Sequence, residues 1–238
     1  MRLQAELKLL IVNPNTSKEM TATIDQAARR YASVGTEIVT TQPTRGPRSI
    51  EGYLDAVQAA DATLELLLAA QAGYDAFVIA CFSSHGLHAA REALTAPVFG
   101  LGETAMLMAC TLGHSFSVLT QPERSKPAIE ELVRSYGLAQ RCASVRTVEM
   151  SVLALGTDRD RTLAAFAAAG KAALQEDGAE TLVLGCAGLA GLDKDLEQAL
   201  HVPVLDGVVC AVKMAEACTS YGLRTSKWRG FSPPSPVS

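Results

Sequence analysis

The segment Asp75–Leu87, DAFVIACFSSHGL, lines up with the segment Glu180–Leu192, ETLVLGCAGLAGL. Each opens on a short apolar run, ends that run on a cysteine (Cys81, Cys186), and passes into a turn containing glycine. Apolar runs this short read as strands buried on both faces, as in a parallel sheet covered by helices. The match continues downstream, where APVFGLGETAMLMA from Ala96 lines up with VPVLDGVVCAVKMA from Val202. Upstream, Asn13 after LLIV lines up with Thr120 after FSVL. The offsets stay between 105 and 107 residues, which points to a duplicated α/β unit.

Working outward, strands are expected at 9–12, 37–41, 77–80 and 98–99 in the first half. Helices are expected from about Ser17 to Tyr31, and along Ile50, Leu54, Val57, Leu64 and Leu68, whose spacing is near-helical. The second half repeats the plan, with a strand at 116–119, a helix at 125–136, an extended segment at 145–153, a helix at 162–176 and a strand ending at Cys186. This βαβα rhythm predicts an α/β fold of two pseudo-symmetric lobes, each a mostly parallel sheet covered by helices. Ligands of open α/β sheets bind beyond the carboxyl ends of the strands. Two facing lobes therefore bring both cysteines to one cleft, on opposite sides of a ligand.

The 238 residues suffice for a sizeable core, and 48% of them are apolar, so the chain is globular. A net charge of -4 leaves no footprint for nucleic acid or an anionic membrane. No apolar run approaches the ~20 residues of a membrane span, and the start, MRLQAELKLLIV, does not read as an export signal. A cytoplasmic protein with free thiols is expected. The six cysteines include no CxxC and no histidine at ligand spacing, so no metal is expected. No Gly-rich loop cradles phosphate and nothing marks Lys213 as a Schiff-base lysine, so no cofactor is expected either. TSKWRGFSPPSPVS at the end reads as a docked turn followed by a loose tail.

An arbitrary cysteine packs as a small hydrophobe, and Cys110, Cys142, Cys210 and Cys218 are read that way. Cys81 and Cys186 differ because they hold equivalent strand ends. Inverting a carbon acid requires one group to take a proton from one face and another to deliver one to the opposite face. Thiols suit this, since an ordinary cysteine pKa is ~8.5 and lowering it to ~7 needs only about 2 kcal/mol. Amides at a following helix N-terminus are expected to supply that, and to stabilise the enolate. Gly185, Ala187 and Gly188 around Cys186 would let a substrate approach the main chain, and Ser83, Ser84 and His85 flank Cys81 in the matching place. Asn13 and its counterpart Thr120 stand at strand ends where they could bind a carbonyl or carboxylate. A Gly-Pro turn explains much of Arg45–Glu51, though Arg45 and Arg48 could guide an anion. His88, His114 and His201 are read as structural or exposed.

Six segments carry a resemblance: VNPNTS (12–17), GPRSIEG (46–52), VIACF (78–82), LGCAGLAGL (184–192), VPVLDGVVCAVKMAE (202–216) and TSK (225–227). Over Leu9 to Lys227 the chain resembles the hydantoin and allantoin racemases of the aspartate/glutamate racemase superfamily. The resemblance implies catalytic roles for Cys81 and Cys186, no cofactor or metal, a small-molecule substrate and a homo-oligomer. It also implies that the last helix packs back on the first lobe, giving residues 1–103 plus 208–238 as one lobe and 104–207 as the other. One departure stands out. The hydantoin racemases usually carry an acidic residue and Pro-Gly or Thr-Gly after the first cysteine, whereas this chain has Ser84-His85-Gly86.

The leading expectation is a cofactor-independent racemase of 5-substituted hydantoins, allantoin among them, using a Cys/Cys pair. An amino-acid racemase, an arylmalonate-type decarboxylase and a maleate-type isomerase are the enzymatic alternatives. A bilobal small-molecule binding protein is the non-enzymatic one.

Overall fold

The computed structural model describes residues 7–155 and 158–233. The first six residues and the tail from 234 onward, on which the reading of the N-terminus and of the loose tail rested, lie outside the described residues. The first half runs β1 (Leu7–Val12), α1 (Lys18–Tyr31), β2 (Thr36–Thr41), α2 (Tyr53–Ala70), β3 (Ala76–Ile79), α3 (Leu87–Ala93), β4 (Val98–Gly100), α4 (Leu101–Leu112). The second repeats it as β5 (Phe116–Thr120), α5 (Lys126–Ser135), β6 (Cys142–Thr147), α6 (Arg159–Glu176), β7 (Thr181–Leu184), α7 (Asp193–Leu200), β8 (Val204–Asp206), α8 (Gly207–Ser220). The strands form two four-stranded sheets of orders β2-β1-β3-β4 and β6-β5-β7-β8, and every pairing is parallel.

The duplication holds to the residue. Val12 pairs with Ile79 in the first sheet, and Leu119 pairs with Leu184 in the second. Each partner lies two residues before its cysteine, so Asn13 and Thr120 are equivalent.

Strand alternation builds the cores. Leu9 and Ile11 of β1 pack with α1 and α8, while Leu10 and Val12 face the side covered by α2 and α3. In the second sheet Phe116 and Val118 face α4 and α5, and Leu119, Leu182 and Leu184 face α6 and α7. Each buried Leu or Ile contributes about 1.5–3 kcal/mol relative to exposure. The last helix of each half crosses over. Ala105, Met106 and Ala109 of α4 join the core of the second sheet, and Val208, Ala211, Val212 and Ala215 of α8 join that of the first.

Two sequence expectations need correction. The periodic residues that marked α2 lie largely on its outer face, with Leu54 at 72% and Val57 at 70% exposure. The inner face is Ala56, Ala59, Ala62, Thr63 and Leu67. Alanine lets α2 sit close to the sheet, and a scale dominated by leucine points the wrong way. Ile50 does not start this helix, because Gly52 is extended and α2 begins at Tyr53. The extended segment expected at 145–153 is instead β6 at Cys142–Thr147. This edge strand buries little besides Val145, so its apolar signal is weak.

Candidate active site

The two cysteine turns share one backbone plan. The Ser84 N–H donates to the Cys81 carbonyl and the Leu87 N–H to the Ser84 carbonyl; Leu189 to Cys186 and Leu192 to Leu189 repeat this. Each turn ends on a left-handed glycine, Gly86 at φ 84° and Gly191 at φ 81°, a conformation that a Cβ would strain. Gly185 is required by close approach, since a Cβ there would lie 2.8 Å from Thr120 Cβ.

A cleft opens where the turns meet, and both cysteines, half-buried, line it. Its polar lining consists of Asn15, Ser83, His85, Thr120, Gln121 and Ser125. Its apolar lining includes Met20, Ile50, Phe82, Ile129 and Val152. Among the described residues no Lys, Arg, Asp or Glu lines it.

Of the expected site residues, Cys81, Ser83, His85, Thr120, Gly185, Cys186 and Ala187 come together here. Asn13, Ser84 and Gly188 stand behind the wall. The Asn13 Nδ2 lies 3.0 Å from Asn15 Oδ1 and 3.0 Å from Thr21 Oγ1, so its amide is used to hold the β1–α1 turn. Ser84, strained at φ 45°, donates its hydroxyl to the Cys81 carbonyl at 2.9 Å. The Gly188 N–H donates to Cys186 Sγ at 3.3 Å. The arginines considered as anion guides are placed elsewhere. Arg45 pairs with Asp61 and Glu65 on α2, and Arg48 is exposed outside the cleft. Among the described residues no three His, Cys, Asp or Glu side chains group as metal ligands, and no helix is long and apolar enough to cross a membrane.

The sequence profile described as Asp/Glu/Hydantoin racemase matches residues 9–215. The chain belongs to that family. A hydantoin racemase of Pseudomonas sp. (strain NS671) is 42% identical over 229 residues, covering 96% of this chain and 92% of that one. A hydantoin racemase of Rhizobium meliloti is 42% identical over 225 residues, covering 94% and 93% respectively. The crystal structure of an allantoin racemase from Pseudomonas fluorescens superposes with a TM-score of 0.95 at 41% identity, covering 98% of this chain and 99% of the other.

In this racemase-family cleft the thiols differ from the sequence expectation. Burial pushes Cys81 up to about 11; the nearby Cys186 adds to that, and the amides of Ser83, Ser84 and Phe82 offset only part. Cys186 is also raised by burial, against the Gly188 amide and the Gln121 side chain, with a smaller repulsion from Glu51. The expected helix dipole is missing next to Cys81, because α3 begins only at Leu87. Cys186 precedes a single turn of 3-10 helix, Ala187–Leu189. Burial also lowers His85, so its imidazole is neutral near pH 7 and offers one donor and one acceptor.

Sequence reasoning missed Gln121. It is 3% exposed, lines the cleft, and among the described residues neither its Nε2 nor its Oε1 has a hydrogen-bond partner. The signal available was its position, a polar residue between a buried strand and Pro122. Reading by symmetry hid it: Asn13 precedes Pro14 directly, whereas Gln121 is an extra residue between Thr120 and Pro122.

Proposed function

We propose that this chain racemises neutral 5-substituted hydantoins with Cys81 and Cys186 as opposed proton donor and acceptor. The observation that carries the reading is a pair of thiols, one from each lobe, in a cleft whose lining holds no charged side chain among the described residues. An amino-acid, malonate or maleate substrate brings carboxylates that such a lining would leave buried and unpaired, at a cost of several kcal/mol. A hydantoin brings a neutral ring whose carbonyls and N–H groups suit Ser83, His85 and Gln121. The family membership and the hydantoin and allantoin racemases among the relatives support the same substrate class.

In the working form one thiol is ionised. That thiolate takes the proton from C5 of the ring, and the electron pair moves onto the adjacent carbonyl oxygen as an enolate. The opposite thiol gives its proton to the other face of C5 as the pair returns. The two cysteines end with exchanged protonation states, ready for the other enantiomer. In this reading, main-chain N–H groups of the two turns and the neutral His85 stabilise the enolate oxygen.

The lobe division at 1–103 plus 208–238 and 104–207 belongs to this proposal, supported by the way α8 and α4 cross to the opposite sheets. So do a homo-oligomer, for which exposed Tyr53, Leu54 and Val57 offer an apolar surface, and a cytoplasmic setting, which suits six free cysteines.

The test is polarimetry on single enantiomers of allantoin and of benzyl- and isobutylhydantoin in deuterated buffer, followed by proton NMR. Decay of rotation with deuterium entering at C5 is expected. A flat trace for the whole panel, with folded protein and reduced thiols, would overturn the reading.

A further inference from the structure

The polar groups of the cleft are not equally available to a ligand. The Asn15 Oδ1 accepts from Ser17 N–H at 2.9 Å, and its Nδ2 lies 3.2 Å from Met20 Sδ. The Thr120 hydroxyl donates to the Gly185 carbonyl, and the Ser125 hydroxyl to the Pro122 carbonyl. Gln121 alone presents a buried donor and a buried acceptor in one rigid plane with neither in a hydrogen bond to another protein group among the described residues, its one polar neighbour being the Cys186 thiol, whose ionised form it favours. A buried amide in that condition is costly to the fold, which makes it a strong binder of a complementary group.

A primary amide matches a ring amide in the cis geometry. Its NH2 meets the ring carbonyl while its carbonyl meets the ring N–H, forming two hydrogen bonds in one plane. The same bidentate use of an Asn or Gln amide reads adenine in DNA. Gln121 lies close enough to Cys186 to act on that thiol. The ring offers two such edges beside the reacting carbon, and only the one formed by the C4 carbonyl and N3–H sets the oxygen on which the enolate forms against Gln121.

We propose that Gln121 recognises the ring: its Nε2 donates to the carbonyl at C4 of a hydantoin, and its Oε1 accepts the N–H at N3. The proposal rests on the hydantoin reading above and adds to it the group that selects the ring. It makes Gln121 a specificity determinant, and it gives the developing enolate oxygen a donor that no sequence symmetry indicated.

The experiment compares wild type, Gln121→Ala and Gln121→Met on one enantiomer each of 5-benzylhydantoin and its 1-methyl and 3-methyl derivatives. Wild type is expected to lose about 100-fold or more in kcat/KM on 3-methylation, since a site built around an N–H rejects the analogue lacking it. Loss on 1-methylation should be much smaller. Gln121→Ala should lower kcat/KM for the parent ring by about 100-fold, and the parent to 3-methyl ratio should fall to near one. Gln121→Met serves as the folding control, because removing an unpartnered buried amide should hold Tm or raise it by a few degrees.

In parallel, alkylation of Cys186 by iodoacetamide is followed by mass spectrometry with succinimide or N-methylsuccinimide present. Succinimide should protect the thiol in wild type and not in Gln121→Ala, and N-methylsuccinimide should protect in neither. An unchanged parent to 3-methyl ratio in the variants, or equal protection by both imides, overturns the role of Gln121. Protection by succinimide alone, in an enzyme that racemises no hydantoin, overturns the substrate reading and leaves Gln121 as the ring amide's partner.

Discussion

The turn after Cys81 and the turn after Cys186 have the same backbone hydrogen bonds and the same left-handed glycine, yet they are chemically unlike. The first is polar, with Ser83, Ser84 and His85; the second has Gly188, Leu189 and Ala190 at those places. Their supports are reversed as well. In the first lobe Gly100 ends β4, and the Ser84 side chain occupies the space where a Cβ would be. In the second lobe the equivalent residue is Asp206, which reaches from β8 to accept the Gly191 N–H at 2.9 Å and the Val208 N–H at 2.8 Å. Duplication supplied two opposed thiols, and divergence of side chains made their surroundings different. For a racemase this is permitted. Enantiomers have equal free energy, so kcat/KM must be the same in both directions, and asymmetry can enter only through kcat and KM separately.

The sharpest way to break the comparison is to remove one thiol at a time. Cys81→Ser and Cys186→Ser should each lower racemisation by about 1000-fold or more, read by polarimetry. Each variant should still exchange C5–H for deuterium in one enantiomer, and the two variants should favour opposite enantiomers. Full racemisation by either variant would sink the two-thiol mechanism.

The pH profile comes next. Cys81 is held near 11 and Cys186 is raised as well, so the singly ionised form grows through the whole neutral range. As a coupled pair they titrate in two macroscopic steps. We expect kcat/KM to rise about tenfold per pH unit from pH 7 to 9, about 100-fold in all. A plateau by pH 8 would show that a thiol is already ionised in the free enzyme.

Asp206 tests the support on one side only. Burial lifts its carboxyl from 3.8 to about 6, so the folded state holds the proton more tightly than the unfolded chain. Stability from this group is present below about pH 4 and is lost as pH rises through about 6, at most about 3 kcal/mol. Urea unfolding of wild type and Asp206→Asn should therefore diverge over pH 4 to 6, with the wild type losing ground as pH rises. Parallel curves would refute this.

The smallest effect is expected from the polar turn. His85→Ala should lower kcat/KM by about tenfold, equally for both enantiomers, since it removes a neutral donor and not a proton carrier. Because His85 is already neutral, the wild-type profile should show no inflection near pH 6.5 that the variant loses. Unequal losses in kcat for the two enantiomers would locate His85 on one face of the ring.

Much of the site was legible in the sequence because it sits on local patterns. A buried apolar run, a cysteine and a glycine turn recur at a steady offset, and that placed Cys81, Ser83, His85, Gly185, Cys186 and Ala187 around one cleft. Asn13 was legible as a strand end but not as a side chain whose amide is committed to its own turn. Gln121 was illegible because symmetry gave it no counterpart. The inner face of α2 was misread because alanine, the residue that permits close packing, carries little weight in an apolar pattern.

The sequence by itself determined the duplicated α/β units, the two cysteines at matching strand ends and the family. Those depend on the period of apolar residues and on motif spacing, which are properties of neighbours along the chain. Only the tertiary structure decided that burial outweighs the amides at Cys81, that α4 and α8 cross to the opposite sheets, and that the Gln121 amide is buried beside Cys186 with no other hydrogen-bond partner among the described residues. Desolvation and hydrogen-bond partnering are sums over groups far apart in sequence. They take their values only once both lobes are closed around the cleft.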